Sequence, residues 1–205
     1  MLCAILMTSL AQAAGPPLKI VALGDSLTAG YGLPAQDAFP AQLQKALRAQ
    51  GHAVTIVNAG VSGDTATGGL DRLAWSAPEG TDGVIVELGA NDSLRGIDPK
   101  VTKAAIGKIL ARLAARHIPV LLAGMKAPRN MGADYVKAFD AIYPALASTH
   151  SVVFYPFFLA GVATDPALNQ GDGMHPNTKG VHVIVERMMP SVKQLLVRAR
   201  QARAS

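Results

Sequence analysis

Five short apolar runs, at residues 18–23, 54–58, 83–88, 119–123 and 152–155, recur along the chain, and the segments between them repeat their apolar residues at helical spacing. This alternation admits few topologies. Parallel strands need crossovers long enough to hold a helix, and helices then cover both faces of the sheet. The helices are expected at residues 38–50 (ended by Gly51), 65–74, 101–116, 135–147 and 177–199. Ile106, Ile109, Leu110 and Leu113 share one face of the third. Asp64 is expected to cap the second, and Pro144 to kink or shorten the fourth. Residues 157–173 read as loop with one helical turn. With no internal repeat or low-complexity linker, residues 14–205 read as one α/β domain with a full core.

Chemistry-bearing residues cluster just after the runs. Gly24-Asp25-Ser26-Leu27 follows the first, Gly63 lies beyond the second, and Gly89-Ala90-Asn91-Asp92 follows the third. In open α/β sheets that edge is where ligands bind. Taken alone, Ser26 is better explained by turn chemistry or helix capping. The far end of the chain changes the balance, because Asp172-Gly173-Met174-His175-Pro176 sets an acid three residues from an imidazole. A serine nucleophile needs a base, and the base needs an acid to fix its tautomer. Asp172 can reach Nδ1–H of His175 around a turn and leave Nε2 for Ser26. Pro176 suits the first position of the last helix. For an oxyanion, Gly63 offers an unobstructed backbone N–H and Asn91 a side-chain amide.

These four blocks, in this order, resemble the SGNH (GDSL) hydrolases, and in particular their periplasmic esterase, arylesterase and thioesterase/lysophospholipase branch. Met125-Lys126-Ala127-Pro128-Arg129-Asn130-Met131-Gly132, running into Phe139-Asp140-Ala141-Ile142-Tyr143-Pro144, is similar to that branch too. The resemblance implies a flavodoxin-like three-layer α/β/α sandwich with a five-stranded parallel sheet in the order 2-1-3-4-5. It implies a serine esterase acting through an acyl-serine intermediate. Ser26, Asp172 and His175 would be catalytic, and Ser26, Gly63 and Asn91 would form the oxyanion hole. No cofactor or metal is implied. Asp172 and His175 lack a third ligand at suitable spacing.

The expected substrate is a small ester or lipid-like molecule with a short to medium acyl or aryl group; thioesters and lysophospholipids are included. Met125, Pro128, Met131, Phe157 and Phe158 lie on loops expected near the site and are candidates for the acyl wall. Trp75, with Leu70 and Leu73, reads as core. A carbohydrate O-acetylesterase would use the same catalytic residues but a more polar, aromatic-edged cleft, and only 5% of this chain is aromatic. A non-catalytic lipid- or sugar-binding module would not need the full set. The Lys and Arg residues behind the net charge of +5 are scattered except near the terminus, at Lys193, Arg198, Arg200 and Arg203, with no basic stripe interleaved with aromatics, which argues against nucleic acid as a partner. Residues 1–13 form an uncharged apolar stretch ending Ala11-Gln12-Ala13, the pattern of a signal-peptide core with a small-x-small cleavage site. It is too short to span a bilayer, so the expectation is export to the periplasm or beyond, without stable membrane insertion. Cys3 falls inside it.

Overall fold

The structure, a computed structural model, describes residues 16–205. The expected signal segment lies outside the described residues. The five apolar runs form strands β1 (Leu18–Gly24), β2 (Val54–Gly60), β3 (Gly83–Glu87), β4 (Val120–Ala123) and β5 (Val153–Tyr155). They pair in parallel in the order β2-β1-β3-β4-β5. The expected topology is therefore present. β3 and β4 are buried along their whole length, as strands covered on both faces must be.

Nine α-helices are described: α1 (Ser26–Ala29), α2 (Phe39–Ala49), α3 (Ala66–Asp71), α4 (Leu73–Ser76), α5 (Ala90–Leu94), α6 (Pro99–Ala115), α7 (Ala133–Asp140), α8 (Ile142–Thr149) and α9 (Thr178–Ala204). Helices α2 and α9 pack on one face of the sheet; α3, α6 and α8 cover the other. One contiguous apolar cluster runs through all three layers, with Phe39, Leu43, Ile85, Ile106, Phe139 and Tyr143 among its most deeply buried members. Among the described residues no helix is long and apolar enough to cross a membrane.

Local chemistry moves several boundaries. The expected helix at 65–74 breaks at Arg72 into α3 and α4, and Thr65 rather than Asp64 caps it, accepting from Gly68 N at 3.2 Å. The bend turns Trp75 outward to 80% exposure while Leu70 and Leu73 stay buried, so Trp75 is not core. The helix expected at 135–147 breaks at Ala141, ahead of Pro144. That break puts Pro144 in the first turn of α8, where its missing N–H has no partner to lose. Pro176 stands just before the last helix; Asn177 is the cap, accepting from Lys179 N and Gly180 N. The short helices α1 and α5 have too few residues to show a period.

Candidate active site

β1, β2 and β3 end level with one another, since Gly24 faces Gly60 on one side and Glu87 on the other. The three segments that follow therefore meet at one edge. Ser26 is the first residue of α1 and is nearly buried. Asp25, fully buried, caps that helix by accepting from Leu27 N at 3.0 Å. Next to β3, Gly89 adopts a left-handed φ of +112° and stands at the N-cap position of α5; a Cβ there would lie 2.1 Å from the Tyr143 hydroxyl, which donates to Leu88 O.

The loop before α9 brings His175 to the same edge. Asp172 Oδ1 accepts from Met174 N at 2.9 Å and His175 N at 3.0 Å. Its Oδ2 lies 2.6 Å from His175 Nδ1, and His175 Nε2 lies 2.9 Å from Ser26 Oγ. The His175 and Met174 amides and the His175 ring hold the Asp172 carboxyl down to about 2, so it is ionised at neutral pH. A carboxylate facing Nδ1 requires a proton there. That leaves Nε2 as the acceptor for the Ser26 hydroxyl. Tyr31 lies over the imidazole, with ring centroids 4.8 Å apart.

Gly63 has φ +82°, and its carbonyl accepts from Arg95 at 2.8 Å. Among the described residues, the backbone N–H groups of Ser26 and Gly63 donate to no protein acceptor. Asn91 differs from its expectation in one respect. Its Nδ2 donates to Asp25 Oδ2 at 3.1 Å and to Asp64 O at 2.9 Å, so both its hydrogens have protein partners. It can reach an oxyanion only by sharing one of them.

Arg72, which sequence reasoning missed, ties these segments together. Its guanidinium donates to Gly24 O and Ala59 O, both at 2.8 Å, to Ser76 Oγ at 2.9 Å and to Asp64 Oδ2 at 2.6 Å. An arginine inside a helical pattern looks like a solvated face, so no local signal marks it. Asp92 is a fixing residue, accepting from Ala66 N and from the Thr102 hydroxyl. Below Ser26, Thr28 donates to the fully buried Glu87 at 2.8 Å. Burial, together with the neighbouring Asp25, pushes the Glu87 carboxyl far above its usual range, and burial raises Asp25 to about 6. Among the described residues no three His, Cys, Asp or Glu side chains are grouped to hold a metal.

A cleft of about 370 Å³ opens in front of Ser26 and His175. Met125 and Pro128 line it as expected. Met131, Phe157 and Phe158 do not. Phe158 is fully buried and packs edge-on against Phe39, with ring centroids 5.1 Å apart. Phe157 packs on the core and carries Lys126 Nζ 5.2 Å above its ring. Met131 sits in a single 3-10 turn beside Gly96. Aromatic loop residues had more to gain in the core than at an open wall. The rest of the apolar wall is made by Leu27, Leu94, Leu159, Ala163 and Met174. Leu27 and Met174 adjoin Ser26 and His175 in sequence, and that adjacency could have found them.

A serine, an imidazole and a carboxylate in line at the carboxyl edge of a 2-1-3-4-5 parallel sheet define a recognisable class of hydrolase architecture. The model of the GDSL-like lipase/acylhydrolase family matches residues 22–183. The chain is 38% identical to the esterase TesA of Pseudomonas aeruginosa, over 95% of this chain and 96% of that protein. It is also 38% identical to the thioesterase 1/protease 1/lysophospholipase L1 of Escherichia coli K12, over 94% and 90%. The crystal structure of AlinE4, an SGNH-hydrolase family esterase, superposes with a TM-score of 0.75 at 44% identity, covering 90% of this chain and 99% of that one. This chain belongs to the GDSL-like lipase/acylhydrolase family.

Proposed function

We propose that the protein is a serine esterase that hydrolyses short- to medium-chain acyl or aryl carboxylic esters. The observation that carries this reading is the relay Asp172–His175–Ser26, at 2.6 and 2.9 Å, beside two unengaged backbone N–H groups. In this reading Ser26 Oγ attacks the ester carbonyl as its proton passes to His175 Nε2. Asp172 stabilises the imidazolium that forms. The N–H groups of Ser26 and Gly63, with Asn91 sharing a hydrogen, hold the oxyanion. Collapse of the tetrahedral intermediate expels the alcohol, which takes the proton from His175. Water, deprotonated by His175, then attacks the acyl-serine, and the acid leaves as His175 returns that proton to Ser26 Oγ. The apolar wall supports an acyl or aryl group as the recognised part. Thioesters and lysophospholipid esters offer the same carbonyl.

The test is hydrolysis of a p-nitrophenyl ester series from acetate to palmitate by wild type and Ser26→Ala. Loss of activity in the variant and a chain-length optimum in the wild type are expected. Wild-type inertness on every ester, or an active Ser26→Ala, would overturn the reading. The apolar N-terminal residues support export with cleavage after Ala13. Mass spectrometry of protein made in an intact bacterial host checks that, and a retained Met1 would refute it.

A further inference from the structure

The base in this reading sits on a loop, and a loop needs something to hold it. Asn169 and Asn177 fix its flanks: Asn169 Nδ2 donates to Val162 O and Asp165 O, and Asn177 Nδ2 to Ala167 O and Asn169 O. Those bonds stay within the C-terminal third of the chain and say nothing about Ser26. The Gln170 side chain crosses over. Gln170 N donates to His175 O at 2.7 Å, and Gln170 Nε2 donates to Pro176 O at 3.0 Å and to Tyr31 O at 2.7 Å. Tyr31 belongs to the turn that closes α1, its own N–H donating to Ser26 O at 3.1 Å. One residue therefore holds the backbone at His175 and Pro176, through its own N–H and its side-chain amide, and the same side chain ties that stretch to the segment carrying Ser26. Room for it is built in. At Gly32, φ is +74° and a Cβ would stand 2.2 Å from Gln170 Oε1, so only glycine lets the side chain lie across that turn.

We infer that Gln170 is a positioning residue, which sets the His175–Ser26 approach by bonding the base loop to the Tyr31 backbone while the Tyr31 ring covers the imidazole. This rests on the esterase reading above. Holding two groups in register is worth large factors in rate, because a misplacement of about 1 Å can cost about 100-fold. The two Nε2 hydrogens have two acceptors and none to spare. Shortening the side chain or removing the donors therefore frees the base loop to drift from Ser26 without touching the cleft wall.

The experiment uses Gln170→Met, which keeps the length and removes both donors, with p-nitrophenyl esters as substrate. The expected result is a fall in kcat of about 10–100-fold with KM within about twofold and an unchanged circular dichroism spectrum. A residue that acts through His175 loses its effect when His175 is gone. On the residual hydrolysis that His175→Ala retains over buffer, adding Gln170→Met should change nothing. A wild-type kcat in Gln170→Met, or the same fold-loss with and without His175, overturns the inference. Gln170→Glu keeps the shape but presents acceptors to two carbonyls, and it carries the same test should the methionine variant not fold. Ser26→Ala run alongside separates the failures. An active Ser26→Ala sinks the esterase reading, whereas an inert Ser26→Ala with a wild-type Gln170→Met sinks the positioning role alone.

Discussion

Gly60 ends β2 directly under the helix that carries Ser26, and replacing it tests how tightly the sheet positions that helix. A Cβ at residue 60 would stand 2.3 Å from Ala29 N, 2.6 Å from Ala29 Cα and 2.9 Å from Asp25 O. All three are backbone atoms, so no side chain can swing away. Ordinary contact begins near 3.4 Å, and Gly60→Ala must therefore push α1 and β2 apart by about 1 Å. A shift of that size beneath a proposed nucleophile costs on the order of 100-fold in kcat, about 2.7 kcal/mol of barrier. Overpacking adds about 1–3 kcal/mol of instability. For a chain of this size that lowers Tm by roughly 2–12 °C. The assay pairs p-nitrophenyl butyrate kinetics with thermal melts followed by circular dichroism. Gly171→Ala is the control, because a Cβ there meets nothing within 4 Å although it adjoins Asp172. A Gly60→Ala variant as active and as stable as Gly171→Ala would refute the claim that backbone contact sets the place of Ser26.

Asn91→Ala removes the proposed shared oxyanion donor and the partner of Asp25 Oδ2 and Asp64 O. We expect kcat to fall by about 10²–10³ and stability by about 1–3 kcal/mol, and a variant losing neither would remove Asn91 from the site. Stability should also depend on pH through Asp25, whose carboxyl is raised by burial to about 6 against 3.8 for a free one. The folded state then holds a proton that the unfolded state gives up, so stability is lost as pH rises from 3.8 towards 6. Asp172, lowered to about 2, acts oppositely, and its contribution is mostly in place where that window opens. Urea unfolding at several pH values should therefore show a falling stability in wild type, to which Glu87 adds in the same direction; Asp25→Asn should remove roughly 2–3 kcal/mol of that fall, and parallel curves would count against it. Finally, Phe158→Ala should cost about 3–5 kcal/mol in stability with no chain-length-selective change in KM. Met174→Ala, at an exposed cleft residue, should do the reverse; if Phe158→Ala alters chain-length preference, the wall has been drawn wrongly.

What could be read in advance followed from strong, repeated signals. The strands announced themselves because parallel strands covered on both faces are nearly continuous apolar runs, and their carboxyl edge fixed where Ser26, Gly63, Asn91 and His175 would gather. Helix breaks were harder. The split at Ala141 depends on Pro144 being tolerated in a first turn, and the split at Arg72 on a guanidinium that finds four acceptors only once β1, β2 and the Asp64 loop are assembled. The cleft wall was least legible. Side chains such as Phe157, Phe158 and Met131 sit on the loops expected near the site, yet loop position does not say which way a side chain turns. Burial decided it, sending Phe158 under α2 and leaving smaller aliphatic residues at the opening. Gln170 and Arg72 were invisible for the same reason, since each acts by bonds to carbonyls far away in sequence.

The outward turn of Trp75 has a practical consequence for every folding experiment named above. It is the chain's single tryptophan and stands four-fifths in solvent on α4. Its indole is already in nearly the environment it would meet in the unfolded chain, so its emission maximum should hardly move on denaturation. Tryptophan emission should therefore be nearly silent about unfolding, and transitions are better followed through the backbone. The same silence is useful. Because Trp75 does not line the cleft, its quenching by added iodide or acrylamide gives a steady reference signal on the α4 surface, one that a ligand entering the cleft should leave unchanged.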